Sequence, residues 1–452
     1  MVNTMMDNLG IPPLAGICSY ETADKPGYQV DFTVQLLKRY NYVKAHLVDI
    51  AAAHLPATPE WEVKCALSHH MWLDAEHSLA LRKRVSEMRE PPLGLDRVPD
   101  EQLKVWLDEA IRANDTTELL TGIYAVIRPA LLQSMKLYAQ EANPLADHPT
   151  WRLLRQILRE EEEMLDWGFQ ALQAFTSQAS EHAVQSDVWA AHLSAYLQHA
   201  GGMHGNELVH HVELPQPRND GKPYEMAAAP RRDDRFQDHY NNSALIDEYY
   251  QDEALLADER VFALYYKRLR EMDVPEWMAP ILFKTKGQPW EYYSDLSRQL
   301  WDEARHAMLG EVGLYSCGVP FYRYPVDLKS SMSLNVDLEP IESHVLLWAI
   351  EQGLMNKETG KRWEWLISKQ SGMPLAATVQ DYDWADEVLH AQIGRRWLVP
   401  KFGSMEVMQK EAKLAWKKWD EAKAKYAGLS KQEEWWPQFV QEMRSGYDSA
   451  GA

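Results

Sequence analysis

A nine-residue pattern occurs twice in this chain: Asp302, Glu303, His306, Ala307 and Gly310 recur in the same frame as Asp386, Glu387, His390, Ala391 and Gly394. Both copies lie in stretches whose apolar residues recur at three and four, the period of an amphipathic helix. Residues three apart share a helix face, so each Glu and His can offer an oxygen and a nitrogen to one ion. That is the ligand arrangement of a dimetal site in the core of a helical bundle. One E-x-x-H alone reads as a solvated helix face; two copies with the same Asp and the same small neighbours do not.

The three-four period runs through nearly the whole sequence, and period-two runs of Val, Ile and Thr are almost absent. The predicted class is all-α. Helices are expected over roughly 28–55, 59–89, 100–113, 117–141, 148–175 and 181–199, then over roughly 243–271, 288–316, 339–371, 376–398 and 405–427. Residues 201–242 are rich in Gly, Pro and charge and read as a linker, with His204, His210 and His211 as loop histidines. The expected organisation is a helical bundle over 1–200, the linker 201–242, a second bundle over 243–400 and a helical extension over 401–452.

The two halves resemble each other. "WEVKCALSHHMWLDAEH" from Trp61 and "WEYYSDLSRQLWDEARH" from Trp290 align without a gap, placing Asp74 and His77 over Glu303 and His306. "EEMLD" at Glu162–Asp166 lies over "DEVLH" at Asp386–His390, pairing Glu163 with Glu387 and Asp166 with His390. An internal duplication with one degenerate copy accounts for the length and the number of helices. In the first half His70, Asp74 and His77 share one helix face, with Glu163 and Asp166 as possible partners for a mononuclear site. The preferred reading of that half is structural, a bundle that packs as a second subunit would.

A bundle dimetal site needs one further Glu from each of two more helices. On the helix before Leu300, Glu259 sits at a height similar to Glu303 if the two helices are antiparallel neighbours, ~18 against ~21 Å from the turn at about 1.5 Å per residue. Glu271 is too near that turn. On the next helix Glu351 is in phase with Ile341, His344 and Trp348, with Glu342 and Glu358 as rivals. The first-half counterparts are Asn41 and Ile127, neither a ligand. Trp348, Phe262 and Tyr266 are the aromatic residues expected nearest the acids, and the Ala and Gly after each His serve either close packing or substrate clearance.

Composition narrows the class. Lys and Arg number 47 against 67 Asp and Glu, a formal charge of −20, which repels phosphate backbones and argues against nucleic acid as a partner. Three separated cysteines, Cys18, Cys65 and Cys317, give neither a disulfide framework nor a cysteine metal cage. No run of about 18 apolar residues occurs, and the first residues lack a basic region followed by an apolar one. A soluble, cytoplasmic protein without membrane contact is expected, as a monomer or homodimer.

The set Glu259, Glu303, His306, Glu351, Glu387 and His390 resembles the ferritin-like di-iron carboxylate superfamily. Asp302-Glu303-Ala304-Arg305-His306 is similar to the D-E-x-R-H motif of bacterial multicomponent monooxygenases, and Asp386–His390 matches it except for Leu389 in place of Arg. The resemblance covers about 150 residues of the second half and implies tandem ferritin-like four-helix bundles, a pseudo-dimer within one chain. It implies two Fe ions, with Mn or mixed Fe/Mn as variants, held by those four carboxylates and two histidines. Asp302 and Asp386 would accept the imidazole N–H groups, and Arg305 would pair with one of them. The implied activity is that of a non-haem di-iron oxygenase acting with O2 on a small organic substrate, served by an electron-donor protein. Halogenase, desaturase-like and ferroxidase chemistries are the alternatives.

Overall fold

The computed structural model describes residues 9–89, 94–206, 213–429 and 433–450, without the side chains of Gln178 and Ala450. Every regular element among the described residues is helical, and none of those helices is long and apolar enough to cross a membrane. His210 and His211 lie outside the described residues.

The chain divides into two compact units, Met1–Ile50 with Leu73–Tyr224, and Ala51–Trp72 with Glu225–Ala452. The expected linker is therefore shared between them, and the expected C-terminal extension belongs to the second unit. The first unit contains α1 (Val30–His54) and α2 (Trp61–Ser86), each of which also gives residues to the second unit, then α3 (Arg128–Glu141) and α4 (His148–Gln178). A π-helical turn, Thr121–Ile127, leads into α3. It sets Tyr124 against α4 where Gly168 leaves room; a Cβ there would lie 2.2 Å from the Tyr124 ring.

The second unit contains α5 (Ala257–Arg270), α6 (Asp273–Lys284), α7 (Trp290–Ser316), α8 (Pro340–Leu354), α9 (Lys361–Gln370), α10 (Pro374–Phe402), α11 (Met405–Ala424) and α12 (Trp436–Ala450). Helix α7 packs on α5, α6 and α10, while α10 also packs on α8 and α9. The α5–α7 contact depends on Gly310: a Cβ there would stand 2.2 Å from the Leu269 backbone nitrogen. Gly394 likewise receives the Trp348 side chain, whose Cδ1 would be 2.7 Å from an added Cβ. The glycines four positions after the two histidines thus serve close packing.

Two expected helices are broken, and both breaks shape the site. The segment 243–271 forms a short helix, Ile246–Gln251, and then α5. Between them Asp252 accepts a hydrogen bond from the Ala254 backbone nitrogen at 2.8 Å, an Asx turn that competes with the helix. The segment 339–371 is interrupted after Leu354, and α9 restarts at Lys361. The turn "NKETG" closes through Gly360, which could not carry a Cβ without meeting the Leu354 carbonyl at 2.1 Å.

Candidate metal centre

Helix α7 presents Glu303 and His306, and α10 presents Glu387 and His390, all four buried. Both Glu–His pairs face inward because the i,i+3 spacing stacks them on one helix face, and α7 packs on α10. Glu351 of α8 completes one group: ligand atoms of Glu303, Glu351, Glu387 and His390 lie within 4.8 Å of one another. A second group of the same kind joins Glu271, His306 and Asp383. The two imidazole centroids are 6.0 Å apart.

The histidines are oriented by a crossed pair of aspartates. His306 Nε2 is 3.1 Å from Asp386, and His390 Nε2 is 3.4 Å from Asp302, so each ring leans on the Asp of the other motif. Arg305 bridges both aspartates at 2.6 Å, and Arg298 adds two contacts of 2.9 Å to Asp302. Burial would raise the Asp302 pKa, yet His390, Arg298 and Arg305 hold it well below the usual carboxylate range. An imidazole that gives its Nε2–H to a carboxylate keeps Nδ1 for another partner. His390 Nδ1 is 3.1 Å from Glu303 and 3.3 Å from Glu387, while His306 Nδ1 is 3.4 Å from Asp383, 3.5 Å from Glu271 and 3.7 Å from Glu303.

Several of these atoms are buried without a hydrogen bond: His306 Nδ1, Glu271 Oε2 and Glu351 Oε2. Such atoms carry a desolvation cost of about 1–3 kcal/mol each unless something else satisfies them. For His306, burial favours the neutral ring, but Asp383, Asp386, Glu271 and Glu303 raise its pKa well above the ordinary value. For His390 the same contest with Asp302, Glu303 and Glu387 ends the same way. Burial and the neighbouring Glu387 carboxylate push Glu351 well up, and Gln299 donates to its Oε1 at 3.2 Å. At these three groups a divalent cation could take the place of a proton. The buried Glu, His and Asp groups could hold a metal ion.

Glu259 is not among them. It lies in the first turn of α5, 28% exposed and paired with Arg444 at 3.2 Å, and twelve residues of helix put it ~18 Å along the axis from Glu271. The expectation assumed that the helix before Leu300 turned directly into the next. In fact α6 intervenes, and Glu271, set aside for its nearness to a turn, is the carboxylate that the end of α5 delivers. Phe262 and Tyr266 also face elsewhere: Tyr266 packs against Trp435, Trp436 and Phe439 and Phe262 against Tyr447, holding α12 to α5. Glu342 closes the capping box of α8 with the N-cap Glu339, its carboxylate accepting from the Glu339 nitrogen at 2.7 Å, and Glu358 is in the exposed turn before α9.

Sequence reading missed Asp383, Arg268 and Lys361. Asp383 sits one helical turn before Glu387 on α10 and has the same inward phase, which was a usable signal. Arg268 Nη1 pairs with Asp383 and its Nη2 lies 2.9 Å from Glu271. The Lys361 ammonium, fully buried, is 2.8 Å from Glu387, 2.9 Å from Asp383 and 3.5 Å from Glu271.

In the first unit Asp74 and His77 meet Glu161, and ligand atoms of the three lie within 4.8 Å of one another. Two cations already occupy the acids: Lys44 pairs with Asp74 at 2.7 Å and with Glu161, and Arg128 pairs with Asp74 at 2.7 Å and Glu161 at 3.1 Å. Glu163 and Asp166, the expected partners, are exposed on the other face of α4, Glu163 pairing with Arg159. The overlay was out of phase because the inward residue of α4 is Glu161.

A cavity of about 450 Å³ reaches the second-unit cluster at Glu271 and Glu351, with Trp277, Leu334, Leu347 and Ile350 among its walls. No family model, curated protein or solved structure matches the chain. The family resemblance therefore stands on the motifs quoted above.

Proposed function

We propose that this protein is a metal-dependent oxidoreductase that uses dioxygen to oxidise a small organic substrate at the second-unit cluster. One observation carries the reading: oriented imidazoles and unpartnered carboxylate oxygens converge, buried, at the end of a cavity large enough for a small molecule. Glu303, Glu351, Glu387 and His390 would hold one ion, and Glu271, His306 and Asp383 a second. Mixed carboxylate and imidazole donors suit iron or manganese. Such ions, when bound, would supply the reduction of dioxygen.

The chain's own residues provide the rest. Asp302 and Asp386 would fix the imidazole tautomers through Nε2, and Arg298 and Arg305 hold those aspartates in place. Gln299 turns the Glu351 carboxylate. The apolar part of the cavity wall, Trp277, Leu334, Leu347 and Ile350, would pack against a bound substrate beside the cluster. The test is an anaerobic Fe(II) load followed by O2 in the presence of a broad set of small molecules, with oxygen uptake and products followed together. Oxygen uptake matched by an oxidised organic product, and lost in Glu351→Ala, is the expected result. Rapid, mineral-forming oxidation of excess Fe(II) with no organic product would contradict it and favour a ferroxidase.

A further inference from the structure

The two candidate ion positions are electrostatically unequal. Glu303 and Glu351 have no Lys or Arg partner among the described residues, and Glu387 shares one, Lys361. Glu271 and Asp383 are each engaged by two cations, Arg268 and Lys361. A divalent ion at the first position meets three carboxylates and one ammonium at its edge. At the second it meets two carboxylates whose charge is already matched, with an ammonium and a guanidinium at close range. Like charges that close, away from water, repel strongly.

The lysine is held there by the fold. Lys361 is the first residue of α9, directly after Gly360, whose close approach to the Leu354 carbonyl fixes the turn. Its side chain is fully buried, so its ammonium has no solvent to turn to and lies between the acids of α5 and α10. From this geometry, and resting on the metal reading above, we propose that Lys361 stands in for the second ion. The resting centre takes one divalent cation, at Glu303, Glu351, Glu387 and His390, and the Glu271–His306–Asp383 position binds a second ion only weakly while the Lys361 ammonium lies against its acids.

The test needs no turnover. The folded full-length protein is titrated with Mn(II), and free ion is counted by its electron paramagnetic resonance signal. Wild type should bind one ion tightly and a second at least about tenfold more weakly, a gap of about 1.4 kcal/mol. Lys361→Met, which keeps the stem and removes the charge, should bind two ions with affinities within about threefold of each other, while Lys361→Arg should keep the one-ion pattern. Two equal sites in wild type, or an unchanged single site in Lys361→Met, overturn the role given to Lys361 and leave the metal reading standing. If neither protein binds Mn(II), the metal reading falls and this inference with it. Should Lys361→Met fail to fold by circular dichroism, wild type alone decides between one strong step and two equal ones.

Discussion

The two units bury similar helical constellations and differ in how their acids are balanced. In the first, the two acids of the cluster, Asp74 and Glu161, are each within ion-pair reach of both Lys44 and Arg128. In the second, acids outnumber the lysines and arginines that reach them, Glu303 and Glu351 have no such partner among the described residues, and oxygens of Glu271, Glu303 and Glu351 are buried without a hydrogen bond. The first arrangement is an ion-pair network closed by Lys and Arg; in the second the Lys and Arg charges fall short of the acids, and a metal could make up the difference. An acid-and-histidine motif on a helix is thus not enough to define a metal centre. What separates the two cases is the set of lysines and arginines that other helices bring to the same point.

The sharpest way to break this contrast is to open the closed network. Lys44→Met should destabilise the protein by about 3–5 kcal/mol, because it leaves buried Asp74 and Glu161 under-compensated. Replacing Lys44, Asp74, Arg128 and Glu161 together with apolar residues of similar volume should cost much less or nothing. Denaturant unfolding of the variants compares the two directly.

Acid should dismantle the first unit in two steps. Burial and the Lys44 ammonium depress the His77 pKa from 6.5 to about 4. The unfolded chain therefore takes up that proton first, and stability falls as pH drops from 6.5 to about 4. Asp74 is depressed from 3.8 to about 2: burial opposes this, but Arg128 and Lys44 dominate. Its contribution is present above 3.8 and is lost as pH falls towards 2. The His77 step amounts to about 3 kcal/mol at most. In His77→Gln, the fall in stability between pH 6.5 and 4 should be shallower by the His77 share, while His344, which burial also lowers from 6.5 to about 4, keeps the remainder; an unchanged slope would assign the titration to His344 or another group.

Smaller effects sharpen the second unit. Asp302→Asn or Asp386→Asn should weaken metal binding by roughly 10–100-fold with little change in fold, since each removes the carboxylate that orients the opposite imidazole. Metal titration against circular dichroism separates the two effects. Glu342→Ala should cost only about 1 kcal/mol through the α8 cap and leave metal affinity unchanged. A loss of metal there would mean that the third-helix carboxylate was misassigned.

The all-helical class was legible from the three-four period. So were the inward faces of α7 and α10, because a doubled E-x-x-H with flanking Asp fixes its own phase on a helix. The carboxylate at the end of α5 was not, because its position depends on α6, whose Pro275 and Pro280 hid a helix, and on an Asx turn at Asp252. Asp383 could have been found by phase alone. Lys361 and Arg268 could not: a basic residue on a helix reads as surface until the fold places it, and the break at Gly360 that aims Lys361 inward was read as continuous helix. In the first unit the overlay of Glu163 and Asp166 failed for a related reason, since an ungapped match of five residues does not fix which face of a 31-residue helix turns inward.

The most direct test of the central claim is the metal content of the reconstituted protein, measured by elemental analysis after removal of loosely bound ions. Wild type and an Asp74→Asn, His77→Gln double variant should carry the same amount, at least one ion per chain. A Glu303→Gln, His390→Gln double variant should carry almost none while remaining folded. Equal metal in all three, or loss in the first-unit variant and retention in the second-unit one, would contradict the account.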